Sequence, residues 1–169
     1  MMWGDQPVDT ISVAFRRICE GQQPWVALGD FLNYWFAYAK DRRSDLVAEP
    51  LSAFPEGEYY LRWAAFCAAS VEHLCHKYNV SCPAWVDDPK YVLPEPWYYH
   101  SQEDQREWLV STTPEEFKKR NIYSGSSESM FANKWELVEQ CREKIEQFKR
   151  LSKKERRVYW KTGKMPARN

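Results

Sequence analysis

The chain has 169 residues, among them 9 Trp, 10 Tyr and 8 Phe, and its 24 Lys/Arg balance 24 Asp/Glu. That length and aromatic content exclude a disordered or low-complexity chain and allow a core without disulfide or metal staples. The zero net charge is the sum of two opposites: residues 142–169 carry 11 Lys/Arg against 3 Glu, and residues 1–141 carry 13 against 21 acidic residues, so +8 faces −8.

Hydrophobic periodicity predicts helices joined by proline-rich turns. The first runs from about Thr10 to Glu20, with Asp9 or Thr10 as cap, Gly21 past its end, and Ile11, Ala14, Phe15 and Ile18 on one face. The second starts at Pro24 and reaches about Lys40, carrying a wide stripe from Leu28 to Ala39 that Tyr34 and Tyr38 extend. The run Asp41-Arg42-Arg43-Ser44-Asp45 ends that pattern, and Pro50, Pro55 and Gly57 mark a loop. The third helix, Glu58 to Tyr78, has the strongest pattern, with Trp63, Phe66, Cys67, Ser70, Val71, Leu74 and Tyr78 on its apolar face. Asn79 suits its end because Asn tolerates the left-handed conformation.

From Val80 to Tyr99, Pro83, Pro89, Pro94 and Pro96 rule out a long helix and predict an extended connection pinned by aromatic side chains. Glu103 to Leu109 reads as a short helix with Trp108 and Leu109 inward. Thr113-Pro114-Glu115-Glu116 reads as a capping box opening a helix that ends near Arg120. Asn121 to Ser129 is a polar turn region. A long helix is then expected from about Ser129 to Arg150, where Phe131, Trp135, Val138, Cys141, Ile145 and Phe148 form a near-heptad seam. Ser152-Lys153-Lys154-Glu155 is a capping box for a final short helix through Trp160. The expectation is an all-α fold: an acidic, aromatic-rich body over residues 1–128, with a proline- and aromatic-rich connection, and a C-terminal long helix plus short basic helix over 129–169.

No apolar run approaches the ~18 residues of a membrane span, so no membrane partner is expected. The start, Met1-Met2-Trp3-Gly4-Asp5, lacks the basic and apolar regions of a signal peptide. Five cysteines without a C-x-x-C pair fit reduced thiols and a cytoplasmic location. His73, Cys75, His76 and Cys82 are the densest metal-capable group, but their spacing matches no common zinc pattern. The reading favoured over a metal site is that Cys75 packs in or near the core while the histidines line a polar margin. A Cys75 nucleophile would need His73, His76 or His100 as base, and nothing local marks one. There is no phosphate-cradling Gly-rich motif. No cofactor and no catalytic residue is expected.

The basic tail is more informative. Lys149, Arg150, Lys153, Lys154, Arg156, Arg157, Lys161 and Lys164 surround Tyr159 and Trp160. Three readings stand beside one another: cations on phosphates with aromatics stacked on bases, a solvated face anchored by its aromatics, or docking on an acidic protein surface such as a second copy of this chain.

A family resemblance rests on residues 61–123. The motifs are Val71-Glu72-His73-Leu74, Pro83-Ala84-Trp85-Val86, Leu93-Pro94-Glu95-Pro96-Trp97, and Thr113-Pro114-Glu115-Glu116-Phe117-Lys118-Lys119-Arg120-Asn121-Ile122-Tyr123. In this order they resemble a small helical domain of bacterial proteins described as antitoxin-like or attached to helix-turn-helix regulators, commonly encoded beside a nucleotidyltransferase-like toxin. The resemblance implies a non-enzymatic partner-binding role that neutralises such an enzyme. No helix-turn-helix precedes the matched region, and the basic tail lies beyond it. On this reading Trp85, Trp97, Phe117, Lys118, Lys119, Arg120 and Tyr123 form the partner surface, since aromatics and Arg are favoured at interface hot spots. The alternatives are nucleic-acid binding through the basic tail and a small enzyme or metal protein built on the His/Cys group.

Overall fold

A computed structural model describes residues 2–3, 6–99, 103–162 and 164. The fold is all-α, and the chain divides into two compact units, residues 1–132 and 133–169.

The body opens with a two-stranded antiparallel ribbon, β1 (Met2–Trp3) against β2 (Gln6–Pro7). Thr10 caps α1 (Ile11–Cys19), its hydroxyl accepting from Val13 N at 3.2 Å. Gly21, at φ +99°, then turns the chain where a side chain would be strained. Ile11, Ala14, Phe15 and Ile18 are all buried. Arg17 ties α1 to α2 (Pro24–Asn33), donating to Asp9 at 2.7 Å and Asp30 at 2.8 Å.

The expected single helix from Pro24 to Lys40 is broken. A π-helical turn occupies Tyr34–Tyr38, with Ala39 N donating to Tyr34 O at 2.8 Å. The extra residue rotates the chain so that Trp35, Phe36 and Ala39 all point inward. A 3-10 turn at Lys40–Arg42 leads into α3 (Arg43–Ala48), within and beyond the charged run that reads as a break in the sequence. Leu46 and Val47 are buried there, and Arg43 Nε donates to Trp35 O at 2.9 Å while its guanidinium lies over the Tyr78 ring. Tertiary packing supplies what helix propensity does not.

The central element, α4 (Glu58–Tyr78), has the expected bounds, and Asn79 ends it in the left-handed conformation at φ 53°. Ala64, Ala65, Ala68 and Ala69 are completely buried, so neighbours approach this helix closely on more than one side.

The proline-rich connection is more structured than expected. Pro83 precedes a 3-10 turn at Ala84–Asp87, and Pro89 starts another at Pro89–Tyr91. Then β3 (Trp97–Tyr98) pairs in parallel with β4 (Ile122–Tyr123), Trp97 opposite Ile122. Between them lie a 3-10 turn at Glu103–Gln105, α5 (Arg106–Thr112) and α6 (Glu115–Lys118). Leu109 is fully buried, but Trp108, expected inward, is 51% exposed. Adjacent helical residues diverge by about 100° and cannot both face one core. The Trp108 ring instead covers Gly125, where a Cβ would stand 2.9 Å from it. Thr113 does not act as the cap of α6. Its hydroxyl donates to Leu109 O at 2.6 Å and accepts from Gly125 N at 2.8 Å.

The expected helix from Ser129 to Arg150 is two elements, α7 (Ser127–Met130) and α8 (Lys134–Lys149). Phe131 leaves the seam because it is buried in the body, its ring 5.7 Å from His73 and 6.0 Å from Phe117. The second unit comprises α8 and α9 (Lys153–Thr162). The capping box forms as read: Ser152 N donates to Glu155 Oε2 at 2.7 Å and Glu155 N to Ser152 Oγ at 3.3 Å. Phe148 and Tyr159 meet edge to face at 5.5 Å. Along α8, Trp135, Cys141 and Ile145 are exposed, while the Val138 side chain lies outside the described residues. No helix among the described residues is long and apolar enough to cross a membrane.

Candidate partner-binding cleft

Glu72 is the one acidic residue within the buried stretch of α4 and is only 8% exposed. A carboxylate at that depth requires a cation. Arg120, 2% exposed, supplies it: Nη1 donates to Glu72 Oε2 and to Glu116 O, both at 2.6 Å, and Nη2 donates to Val86 O at 2.7 Å. Lys119 Nζ adds a second contact to Glu72 at 2.5 Å and lies 3.6 Å from Asp87. One guanidinium thus joins α4, α6 and the turn at Ala84–Asp87.

The backbone continues the joint. Leu93 N donates to Arg120 O at 3.1 Å, and Asn121, left-handed at φ 60°, sends its side-chain amide to Leu93 O at 2.7 Å. Over this joint lies an open cleft lined by Val86, Asp87, Asp88, Val92, Lys119 and Arg120. Val92 is 45% exposed at its rim. Asp88 faces its own turn: a hydrogen bond from Lys90 N, aided by the Lys90 ammonium, holds its carboxyl below the ordinary carboxylate value.

Farther along α4, Glu116 receives both histidines. His76 Nδ1 lies 2.9 Å from one carboxylate oxygen and His73 Nδ1 lies 3.4 Å from the other. Burial acts to raise the Glu116 pKa, but hydrogen bonds from His76, its own backbone N–H and His73 outweigh it and hold the carboxyl below its ordinary value. The expected capping role of Glu116 is therefore replaced by an interhelix contact. Cys75 is buried beside the Cys82 thiol, and burial pushes it up to about 12. A thiol so raised carries little thiolate near neutral pH and is a poor nucleophile or metal ligand. Among the described residues, no group of three or more His, Cys, Asp and Glu is arranged to hold a metal ion. His100, the third base considered for Cys75, lies outside the described residues.

The residues expected at a partner surface fall into two classes. Phe117 and Arg120 are interior, so neither presents a side chain to a partner. Phe117 packs on Phe66 at 5.2 Å, and Arg120 is consumed by Glu72. Trp85 is half-buried, its indole donating to Val47 O at 2.8 Å. Trp97 is half-buried in an edge-to-face cluster with Trp63, Phe66 and Tyr99, which Trp25 closes by donating to the Tyr99 hydroxyl at 2.6 Å. Tyr123 stacks on Tyr98 at 4.9 Å, and Lys118 pairs with Glu115 at 3.1 Å. Only Lys119 borders the cleft and remains exposed.

In the C-terminal unit, Lys149, Arg150, Lys153, Lys154, Arg156, Arg157, Lys161 and Lys164 are all exposed. Tyr159 is half-buried against Phe148, and the Trp160 side chain lies outside the described residues. The chain matches no protein-family model, no curated protein and no solved structure.

Sequence reasoning missed Glu72, Asp87, Asp88 and Val92. Glu72 did carry a signal: a lone carboxylate between Ala64 and Cys75, in a run of small and apolar residues, demands a buried partner. The other three stand out only once the connection folds back onto α6.

Proposed function

We propose that the chain is a non-enzymatic interaction protein of antitoxin type, bacterial and cytoplasmic, that binds a partner enzyme over the cleft between the proline-rich connection and α6. The observation that supports this reading is the closed network beneath the cleft. Arg120 donates to three acceptors, Glu72 is doubly paired, and the connection is hydrogen-bonded to the chain at Arg120, Asn121 and Tyr123. The polar groups there are occupied in fixing shape. The cleft therefore offers a preformed surface rather than a reactive group, and preorganisation lowers the entropy cost of association. The cleft pairs one exposed apolar side chain, Val92, with the charged side chains of Asp87, Asp88 and Lys119, the mixture of apolar and polar groups found at protein interfaces.

The test is co-expression with the product of the neighbouring gene, which this reading expects to be a nucleotidyltransferase-like enzyme. The wild type is expected to co-purify with that enzyme and to relieve its growth inhibition. Val92→Glu, at an exposed position, is expected to weaken binding at least about tenfold while thermal unfolding stays unchanged. Full binding by Val92→Glu and by Asp87→Arg, or no binding by the wild type, overturns the reading. Self-association without the enzyme, seen by light scattering and lost in Val92→Glu, would assign the cleft to a second copy of this chain instead.

A further inference from the structure

The cations of α9 do not share one role. Arg156 donates to Lys149 O at 2.8 Å and lies over the Phe148 ring, so it fastens α9 to the end of α8. Lys153, Lys154, Arg157 and Lys161 differ. They are exposed, and none of them has an ion pair or hydrogen-bonded side-chain partner among the described residues. At 3.6 residues per turn these four fall within an arc of roughly 100° on the helix surface. Lys153, Arg157 and Lys161 succeed one another at about 6 Å along the axis, four residues at about 1.5 Å each. Two nearby carboxylates are placed elsewhere: Glu155 closes the cap at Ser152, and Glu146 pairs with Lys149 at 2.9 Å.

We propose that this face of α9 binds the phosphate backbone of a double-stranded nucleic acid, independently of base sequence. A row of unneutralised cations matches a row of phosphates, and releasing the counterions around those phosphates drives the association. The aromatic residue whose ring is described does not take part. Tyr159 packs against Phe148 and offers no free platform for a base, so among the described side chains this face presents cations alone, the chemistry of backbone contact. Other anionic partners fit less well. A helix lying on a membrane needs an apolar face to insert, and among the described side chains of α9 only Val158 is both apolar and exposed. A protein interface needs an apolar centre, and among its described side chains this face has none. This inference stands apart from the cleft reading and uses other residues.

The experiment is fluorescence anisotropy of the full chain with labelled DNA and RNA duplexes of roughly 20 base pairs, in two unrelated sequences, over a salt series. Four phosphate contacts predict a salt slope near −3.6, so affinity is expected to fall about 100-fold between 50 and 200 mM salt. The two sequences should agree within about threefold, and the DNA and RNA arms show which polymer is preferred. The variant carrying Lys153→Gln, Lys154→Gln, Arg157→Gln and Lys161→Gln should lose at least about tenfold in affinity and most of the slope, with helicity unchanged by circular dichroism. Val92→Glu should bind as the wild type does. No duplex binding at 50 mM salt, or undiminished binding by the fourfold variant, overturns the proposal. So does binding to phosphatidylserine vesicles or to an acidic protein without binding to either duplex.

Discussion

Compare Arg120 of the body with Arg157 of the C-terminal unit. Both are helix-associated arginines in basic stretches, Lys118-Lys119-Arg120 and Lys153-Lys154 through Arg157. Arg120 lies beneath the surface and is saturated by Glu72, Val86 O and Glu116 O. Arg157 faces solvent with no described ion-pair partner. Two other cations of the body are held in the same way as Arg120: Arg17 by two aspartates, and Arg43 by a carbonyl and two rings. A cation is structural where a core carboxylate or carbonyl needs it, and available where nothing claims it. Local basic composition does not distinguish these cases.

The contrast can be broken most sharply at Arg120. Arg120→Met leaves Glu72 buried with only Lys119 to pair it, and unfolding stability is expected to fall by about 3–5 kcal/mol in urea titration. Adding Glu72→Leu should restore part of that loss, because a buried apolar pair needs no solvation. Arg157→Met should change stability by less than about 0.5 kcal/mol.

Gly125 gives the next largest effect. Its φ of +82° disfavours any side chain, and a Cβ would meet the Trp108 ring at 2.9 Å. Gly125→Ala is expected to cost about 1–3 kcal/mol. The control, Gly29→Ala inside α2 with nothing within 4 Å, should gain about 0.5–1 kcal/mol in the same thermal melts.

In the C-terminal unit, Ser152→Ala removes one half of a capping box. It should destabilise α9 by about 1 kcal/mol, read as lost helicity, while near-ultraviolet signals from the aromatic cluster of the body stay constant.

The smallest effect is the pH dependence of Glu116. Its carboxyl is held below the ordinary value of 4.5 in the folded chain, so its contribution is complete above that pH and is lost as pH falls through the lower folded value. The stability difference between wild type and Glu116→Gln should therefore be constant above about pH 5 and shrink in acid.

How much was legible in the sequence depended on whether the signal was local. The α4 helix carries its own periodicity and its own stop at Asn79, and the cap of α9 is spelled out in four consecutive residues. The all-α class follows from such segments. Helix α3 was hidden because two buried residues, Leu46 and Val47, sit among charges and fold only against the core. The pairing of β3 with β4 is two residues long and joins segments 25 positions apart, too short for any alternating pattern. At the candidate cleft, Lys119 was readable as an exposed cation. The sequence could not say that Phe117 and Arg120, two and three positions from Glu115 and Phe117 respectively, turn inward while Lys119 stays outside.

The Arg120 junction also bears on the order of folding. Its guanidinium reaches a carboxylate 48 residues away and a carbonyl 34 residues away. Neither acceptor is in place until α4 has formed and the turn at Ala84–Asp87 has docked on it, so closure of the junction is a late, long-range event. The amides of Leu93, Trp97 and Tyr99 bond to the carbonyls of Arg120, Asn121 and Tyr123. When the junction opens, these three amides are expected to lose protection together, as one cooperative unit in hydrogen exchange.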